Sequence, residues 1–272
     1  MNWTGIAVIG GLGKMGAALI DGMIAAGVCE PGHVVVTARH QRTIERNASS
    51  SFRMTTDNRD AVRGANILLL AVHPSEAGEV VRDIADAIEP DTLIISIVTG
   101  VPTSAIEGWL GRNLPVVRAT PNIAAVVRSS MTALCRGRHA TTVHVEEAER
   151  IFEPVGRVVR LDERHMDSCT GLAGCGPAFA LEVIEALSLG GVKRGLPRDI
   201  SRIMAAQVLR GAADLVLESG QHPAALRDQV TTPGGCTIDG ITKLEERGLP
   251  IALIEAVEVS AIKAGLLANG ED

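Results

Sequence analysis

Two short stretches of this chain place residue types at spacings that could do chemistry. The first is Gly10-Gly11-Leu12-Gly13-Lys14-Met15-Gly16, which follows an apolar strand at residues 6–9 and opens a helical stretch at 17–26. Gly11 suits a tight turn, Gly13 lets a pyrophosphate approach the backbone, and Gly16 lets helix and strand pack closely, as a dinucleotide fingerprint requires. The second is Val230-Thr231-Thr232-Pro233-Gly234-Gly235-Cys236-Thr237. Pro233 stops one helix, Gly234 and Gly235 permit backbone angles and close approaches that a side chain would block, and a new helix starts at about Thr237. The first N–H groups of that helix have no internal partner and carry the positive end of its dipole. They would seat a small carboxylate or phosphate, with the hydroxyls of Thr231, Thr232 and Thr237 around it.

The elements that must position these stretches follow from the apolar pattern. A second strand at 33–37 ends in Thr37-Ala38-Arg39-His40. An acid there would hold a ribose 2′-hydroxyl, whereas a cation accepts a 2′-phosphate, so Arg39 with Arg42 favours NADPH over NADH. Strands at 67–72, 92–97 and 115–118 alternate with helices around Asp60, at 77–88 and at 104–110, the pattern of a doubly wound parallel sheet. Ligands in such sheets bind at the carboxyl ends of the strands. Those ends are Ala71-Val72-His73-Pro74, Val98-Thr99-Gly100 and Thr120-Pro121-Asn122. His73 is expected to be structural rather than a general base, since no carboxylate pairs with it in sequence. Strands at 131–136 and 157–160 close the sheet. From Asp162 the chain reads as helical, with apolar residues three and four apart after Pro197 and again after Pro250. The expected fold is therefore α/β: a Rossmann-like, NADP-binding domain over 1–161, then an all-helical domain over 162–272 for dimerisation and substrate binding. Helices this apolar, with so few aromatic residues, call for a partner subunit.

Composition narrows the function. The chain has 272 residues, 46% of them hydrophobic, and a formal net charge of -6. No basic stripe invites nucleic acid and no Lys/Arg cluster invites a membrane surface. No apolar run is expected to reach transmembrane length, and the N-terminus runs into a strand without a leader pattern, so the protein reads as cytoplasmic. With no Tyr in the sequence, a tyrosine phenol cannot be the general acid. The five cysteines are scattered, as are the seven histidines, so neither disulfides nor a metal site are expected.

Taken together, the opening glycines, Ala71-Val72-x-Pro74, Arg118 with Pro121-Asn122, Gly174-x-Gly176-Pro177-Ala178, and Leu226-Arg227-Asp228 leading to Pro233-Gly234-Gly235-x-Thr237 resemble the pyrroline-5-carboxylate reductases over the whole chain. The resemblance implies NADPH-dependent reduction of the cyclic imine 1-pyrroline-5-carboxylate to L-proline, the last step of proline biosynthesis, with NADH as a lesser donor. It also implies a homo-oligomer, a dimer that assembles further into a ring of five. An imine becomes electrophilic when its nitrogen is protonated or hydrogen-bonded, so the site needs a donor near nitrogen and an anchor for the carboxylate. By the resemblance and by this chemistry, Thr237 is the catalytic hydroxyl near the ring nitrogen. The turn at Gly234, the amides of Gly235, Cys236 and Thr237, and the hydroxyl of Thr232 hold the carboxylate.

The chain departs from the family pattern at Val98-Thr99, at Asn122-Ile123-Ala124, at Cys175 and at Cys236. All are expected to face the nicotinamide or the substrate ring. That leaves open a related imino acid, a substituted pyrroline or a piperideine carboxylate, as the substrate. Two other readings are weaker. A 3-hydroxyacid dehydrogenase would need a lysine where Ala180 stands and has no use for the Pro-Gly-Gly-Cys-Thr turn, and a catalytically silent nucleotide-binding or scaffold protein would consume no NADPH with a cyclic imino acid.

Overall fold

The computed structural model describes residues 3–268. They divide into two compact units, one reaching to Cys175 and taking in the chain from Val259 onward, the other Gly176–Glu258.

The first unit is built on a sheet of eight strands in the order β3-β2-β1-β4-β5-β6-β7-β8. The strands are β1 (Ile6–Ile9), β2 (Val34–Thr37), β3 (Arg53–Thr55), β4 (Ile67–Leu70), β5 (Leu93–Ser96), β6 (Val116–Thr120), β7 (Ser130–Arg136) and β8 (Gly156–Arg160). Neighbours run parallel except β6 and β7, which pair antiparallel. Only the short turn Ile123–Val127 joins those two, and a parallel return would need a full crossover. The crossovers carry α1 (Lys14–Ala25), α2 (Gln41–Arg46), α3 (Asn58–Val62), α4 (Pro74–Ile84), α5 (Thr103–Leu110) and α6 (Thr142–Phe152). Strand alternation sorts the core onto two faces. Ile6, Val8, Ile67, Leu69, Leu93 and Ile95 pack with α1 and α6. Ala7, Ile9, Leu68, Leu70 and Ile94 pack with α3, α4 and α5.

Helix starts follow local chemistry. Asp57 caps α3 by accepting from the amides of Arg59 at 2.9 Å and Asp60 at 3.1 Å, and Thr141 with His144 forms a capping box on α6. The short β3 and α2 were not expected from the sequence. β3 is three residues of a sheet edge, Arg-Met-Thr, with no apolar run to reveal it.

After β8 come α7 (Met166–Cys169) and one stretch of π-helix, Thr170–Gly174, closed by the Cys175 amide donating to the Thr170 carbonyl at 2.9 Å. The second unit carries α8 (Gly176–Lys193), α9 (Arg198–Ser219), α10 (Pro223–Gln229), α11 (Cys236–Glu246) and the first half of α12 (Leu249–Ala268). α8 and α9 approach closely. The Ser201 hydroxyl donates to the Ser188 carbonyl at 2.6 Å, and a Cβ on Gly191 would lie 2.2 Å from the Ser201 Oγ. Among the described residues of this unit only Ser188, Ser201 and Ala205 are buried, while Leu181, Ile203, Val208 and Ile251 are each 62% exposed. One expectation is corrected here. The helical run Glu163–Lys193 is long and apolar enough to cross a membrane by length and composition, because Gly, Ala and Leu dilute its few charges.

Candidate functional site

In this sheet the strand order reverses between β1 and β4, and the crevice at such a switch point is where open α/β sheets take ligands. Here it is lined from β1 by Gly10 and from the turn after β4 by Ala71, Val72 and His73. Gly10 has φ +77°, and its amide donates to the Thr37 hydroxyl at 3.1 Å, which ties the end of β1 to β2. The other fingerprint glycines divide their roles by space. A Cβ on Gly11 would fall 2.4 Å from Val8 Cγ1, and one on Gly16 would fall 2.3 Å from the Gly11 carbonyl oxygen, whereas one on Gly13 would meet nothing within 4 Å. Gly11 and Gly16 press the turn against the sheet, and Gly13 keeps the crevice side bare. Gly13 is also the N-cap of α1 and gives it no side-chain cap, so the first amides of α1 are free to hold phosphate oxygens.

The crevice has two adjoining compartments. One, about 680 Å³, takes in Leu12, Gly13, Arg39, Thr43, Thr56, Asn58, Glu76 and Glu79. The other, about 390 Å³, takes in Lys14, Met15, Gly16, Pro74, Ile97, Thr99, Thr120 and Pro121. Together they run from the cation at the end of β2 to the ends of β5 and β6, the course an extended dinucleotide requires. Arg39 is ion-paired with Glu76, in the first turn of α4. His73 is the N-cap of α4, its Nδ1 2.8 Å from the Ser75 hydroxyl, so its ring has a structural partner.

Two residues expected on this crevice turn their side chains elsewhere. Val98 is 2% exposed and packs in the core with Val101 and Ile106. Successive residues of an extended chain point to opposite sides, so Ile97 and Thr99 reach the crevice and Val98 does not. The Asn122 side chain is used up internally, its Nδ2 donating to the Ala173 carbonyl at 2.9 Å and its Oδ1 accepting from the Ala124 amide at 3.0 Å. Thr43, Thr56, Asn58 and Glu76 were missed. They follow β2 and β3 or open α4, and only the β3 strand, hidden in the sequence, would have brought the Thr56-Asp57-Asn58 turn to notice.

Beneath β6 lies a charge cluster. The Arg118 guanidinium is 3.1 Å from Asp167 and 3.7 Å from Glu163. Glu163 in turn accepts from the Thr103 amide at 2.7 Å and the Thr103 hydroxyl at 2.5 Å. Burial first, and the Glu163 charge second, push the neighbouring Cys135 thiol up to about 12, with Arg118 pulling partly back. Burial likewise raises Cys29 and Cys169. All five cysteines are free thiols.

In the second unit, the turn after α10 is closed by the Gly235 amide donating to the Thr232 carbonyl at 3.0 Å, with Gly234 at φ +68°. A Cβ on Gly235 would lie 2.4 Å from the Thr232 hydroxyl oxygen, so that hydroxyl sits against the bare glycine. Gly235, with no side chain to give, is the N-cap of α11, so Cys236 and Thr237 open the helix with free amides. Asp239, in the same first turn, already answers part of the dipole. The Thr231 hydroxyl does not join this seat. It donates back to the Arg227 carbonyl at 2.8 Å and finishes α10. Cys236 and Thr237 are exposed.

Known proteins match these features along the chain. A family model described as pyrroline-5-carboxylate reductase dimerisation matches residues 163–267, and one described as NADP oxidoreductase, coenzyme F420-dependent, matches residues 5–100. A pyrroline-5-carboxylate reductase of Methanosarcina acetivorans is 41% identical over 248 residues, 91% of this chain and 92% of its own. A solved pyrroline-5-carboxylate reductase of Coxiella burnetii superposes with a TM-score of 0.90 at 32% identity, covering 98% of this chain and 99% of that one. The pyrroline carboxylate reductase of Plasmodium falciparum, solved with NADP bound, gives 0.89 at 27% identity, covering 98% and 99%. Likeness of that degree over nearly the full length of both chains means that this chain belongs to the pyrroline-5-carboxylate reductase family.

Proposed function

We infer that this chain is an oxidoreductase that reduces 1-pyrroline-5-carboxylate to L-proline with NADPH. The observation that carries the reading is the 41% identity to a reductase of that name over 91% of the chain. The cofactor suits the residues present. Gly13 leaves the crevice bare where the pyrophosphate would lie, α1 offers uncapped amides, and Arg39 supplies positive charge for a 2′-phosphate. When bound, the nicotinamide supplies the hydride.

The chain's own part is to bind and polarise the imine. The free amides of Cys236 and Thr237 at the start of α11 hold the ring carboxylate with the Thr232 hydroxyl, while the Gly235 amide, expected to share that role, closes the turn onto the Thr232 carbonyl. The Thr237 hydroxyl donates to the ring nitrogen, which draws electrons from the C=N carbon as hydride arrives. No thiol is needed. Residues 1–161 form the cofactor-binding domain and 162–272 the helical domain for dimerisation and substrate. The dimer covers the apolar faces of α8, α9 and α12, and five dimers close into a ring in the cytoplasm.

A related ring substrate is favoured by one observation. Thr99, where the family carries a smaller residue, lies on the wall of the smaller compartment. A methylene's worth of volume shifts discrimination by about 1 to 3 kcal/mol, so a reshaped wall is enough to move the preference among cyclic imino acids, a substituted pyrroline or a piperideine carboxylate included. The deciding experiment is NADPH oxidation across five- and six-membered cyclic imino acids. A kcat/KM for 1-pyrroline-5-carboxylate at least tenfold above every analogue removes the second reading, and no oxidation with any of them removes both.

A further inference from the structure

Arg39 does not stand alone at the wide end of the crevice. Its Nη2 is ion-paired with the Glu76 Oε1, and the two side chains are 65% and 37% exposed. An exposed pair of this kind contributes little to folding. Its place on the ligand wall gives it another consequence. Thr43, Thr56 and Asn58 offer neutral partners there, while Glu76 and Glu79 bring two carboxylates to the same wall. A 2′-phosphate carries close to two negative charges and needs donors and cations, whereas a ribose 2′-hydroxyl needs an acceptor. Arg39 suits the first and Glu76 the second. With the carboxylate on one nitrogen of Arg39, an arriving phosphate must displace it or settle beside a like charge.

We propose that Glu76 is a specificity-determining residue for the nicotinamide cofactor. It holds the Arg39 guanidinium in the free crevice, competes with the 2′-phosphate for it, and offers an acceptor to an unphosphorylated ribose. The enzyme therefore separates NADPH from NADH less sharply than Arg39 alone would dictate. The proposal rests on the reading of the crevice as a nicotinamide dinucleotide site.

The test is calorimetric titration of the full-length protein with two fragments that lack nicotinamide, 2′-phospho-ADP-ribose and ADP-ribose. Glu76→Gln removes the charge and keeps the shape and an acceptor oxygen, so the phosphorylated fragment should bind about tenfold tighter and the other within about twofold of before. Glu79→Gln removes a carboxylate from the same wall without freeing Arg39, so it should tighten the phosphorylated fragment by about threefold at most. In an Arg39→Ala background the gain from Glu76→Gln should shrink to about threefold, since there is no guanidinium left to compete for. An unchanged ratio in Glu76→Gln, an equal gain from Glu79→Gln, or an undiminished gain without Arg39 would each overturn the assignment. If the parent protein binds neither fragment, the cofactor reading falls and takes this proposal with it. If it binds both and only the ratio refuses to move, the proposal falls alone.

Discussion

The Arg118 guanidinium lies 3.1 Å from the Asp167 carboxylate, and the two differ sharply in exposure, at 4% for the arginine side chain and 42% for the aspartate. The pair joins the middle of β6 to the short helix that leads into the π-helical turn. Arg118 Nε is buried without a partner, so the cation already sits in a poorly satisfied place. Removing its counter-charges should therefore hurt more than removing the cation, because the carboxylates can turn to water and the guanidinium cannot. Glu163→Gln with Asp167→Asn should cost about 3 kcal/mol, against less than about 1.5 kcal/mol for Arg118→Met. Urea denaturation decides it, and equal losses would show that the cluster behaves as an ordinary surface pair.

The fingerprint glycines should separate stability from binding. Gly16→Ala drives a Cβ into the Gly11 carbonyl and should lose stability by about 1 to 3 kcal/mol. Gly13→Ala meets open space, so its melting temperature should hold while NADPH affinity drops by about tenfold or more. Thermal melts beside fluorescence titrations check both, and a Gly13→Ala protein with unchanged affinity would place the pyrophosphate elsewhere.

Thr237→Ala should lower kcat by about ten- to a hundredfold and leave NADPH affinity intact, since the donor acts on the imine and not on the cofactor. Gly235→Ala should act differently. Its Cβ displaces the Thr232 hydroxyl, so KM for the imino acid should rise before kcat falls. Steady-state kinetics with both substrates varied separates these outcomes, and wild-type kcat in Thr237→Ala would hand the proton donor's role to water or another group.

At the cofactor end, Arg39→Asp should shift the kcat/KM preference from NADPH towards NADH, because three acids and, among the described residues there, no cation then face the 2′-phosphate. An unchanged ratio in side-by-side assays would mean that Thr43, Thr56 and Asn58 bind the phosphate without the cation.

The Cys135 thiol, moved from an ordinary 9.0 to about 12 in the fold, sets an alkaline limit on stability. Between those values the unfolded chain releases a proton that the folded chain keeps, so stability should fall as pH rises from about 9 to about 12. Cys135→Ala should flatten that decline in urea titrations. At pH 8, iodoacetamide should leave Cys135 unlabelled until the protein unfolds.

Much of this was legible in the chain because the physics was local. β1, β4 and β5 are runs of four residues buried on both faces, and such runs announce themselves. The glycine turn, the cation after β2 and the turn before α11 also depend on adjacent residues. What escaped depends on partners far apart in sequence. Glu76 meets Arg39 across 37 positions, and nothing short of the fold pairs them. Val98 was placed on the wrong side because a strand end gives the neighbourhood, while side-chain parity gives the face. Asn122 was diverted by the carbonyl of Ala173, which is 51 residues away.

If a partner subunit supplies the core that is scarce among the described residues between Gly176 and Glu258, folding of that unit is a reaction whose order exceeds one. Leu181, Ile203, Val208 and Ile251 are each 62% exposed in a single copy, and all lie within the residues that the family's dimerisation model matches. For such a segment dilution acts as a denaturant, and the midpoint of unfolding should climb with protein concentration. A subunit with a defective helical face would then withdraw a sound partner from the pool as well as itself, so one damaged copy in a mixed population should cost more activity than its own share.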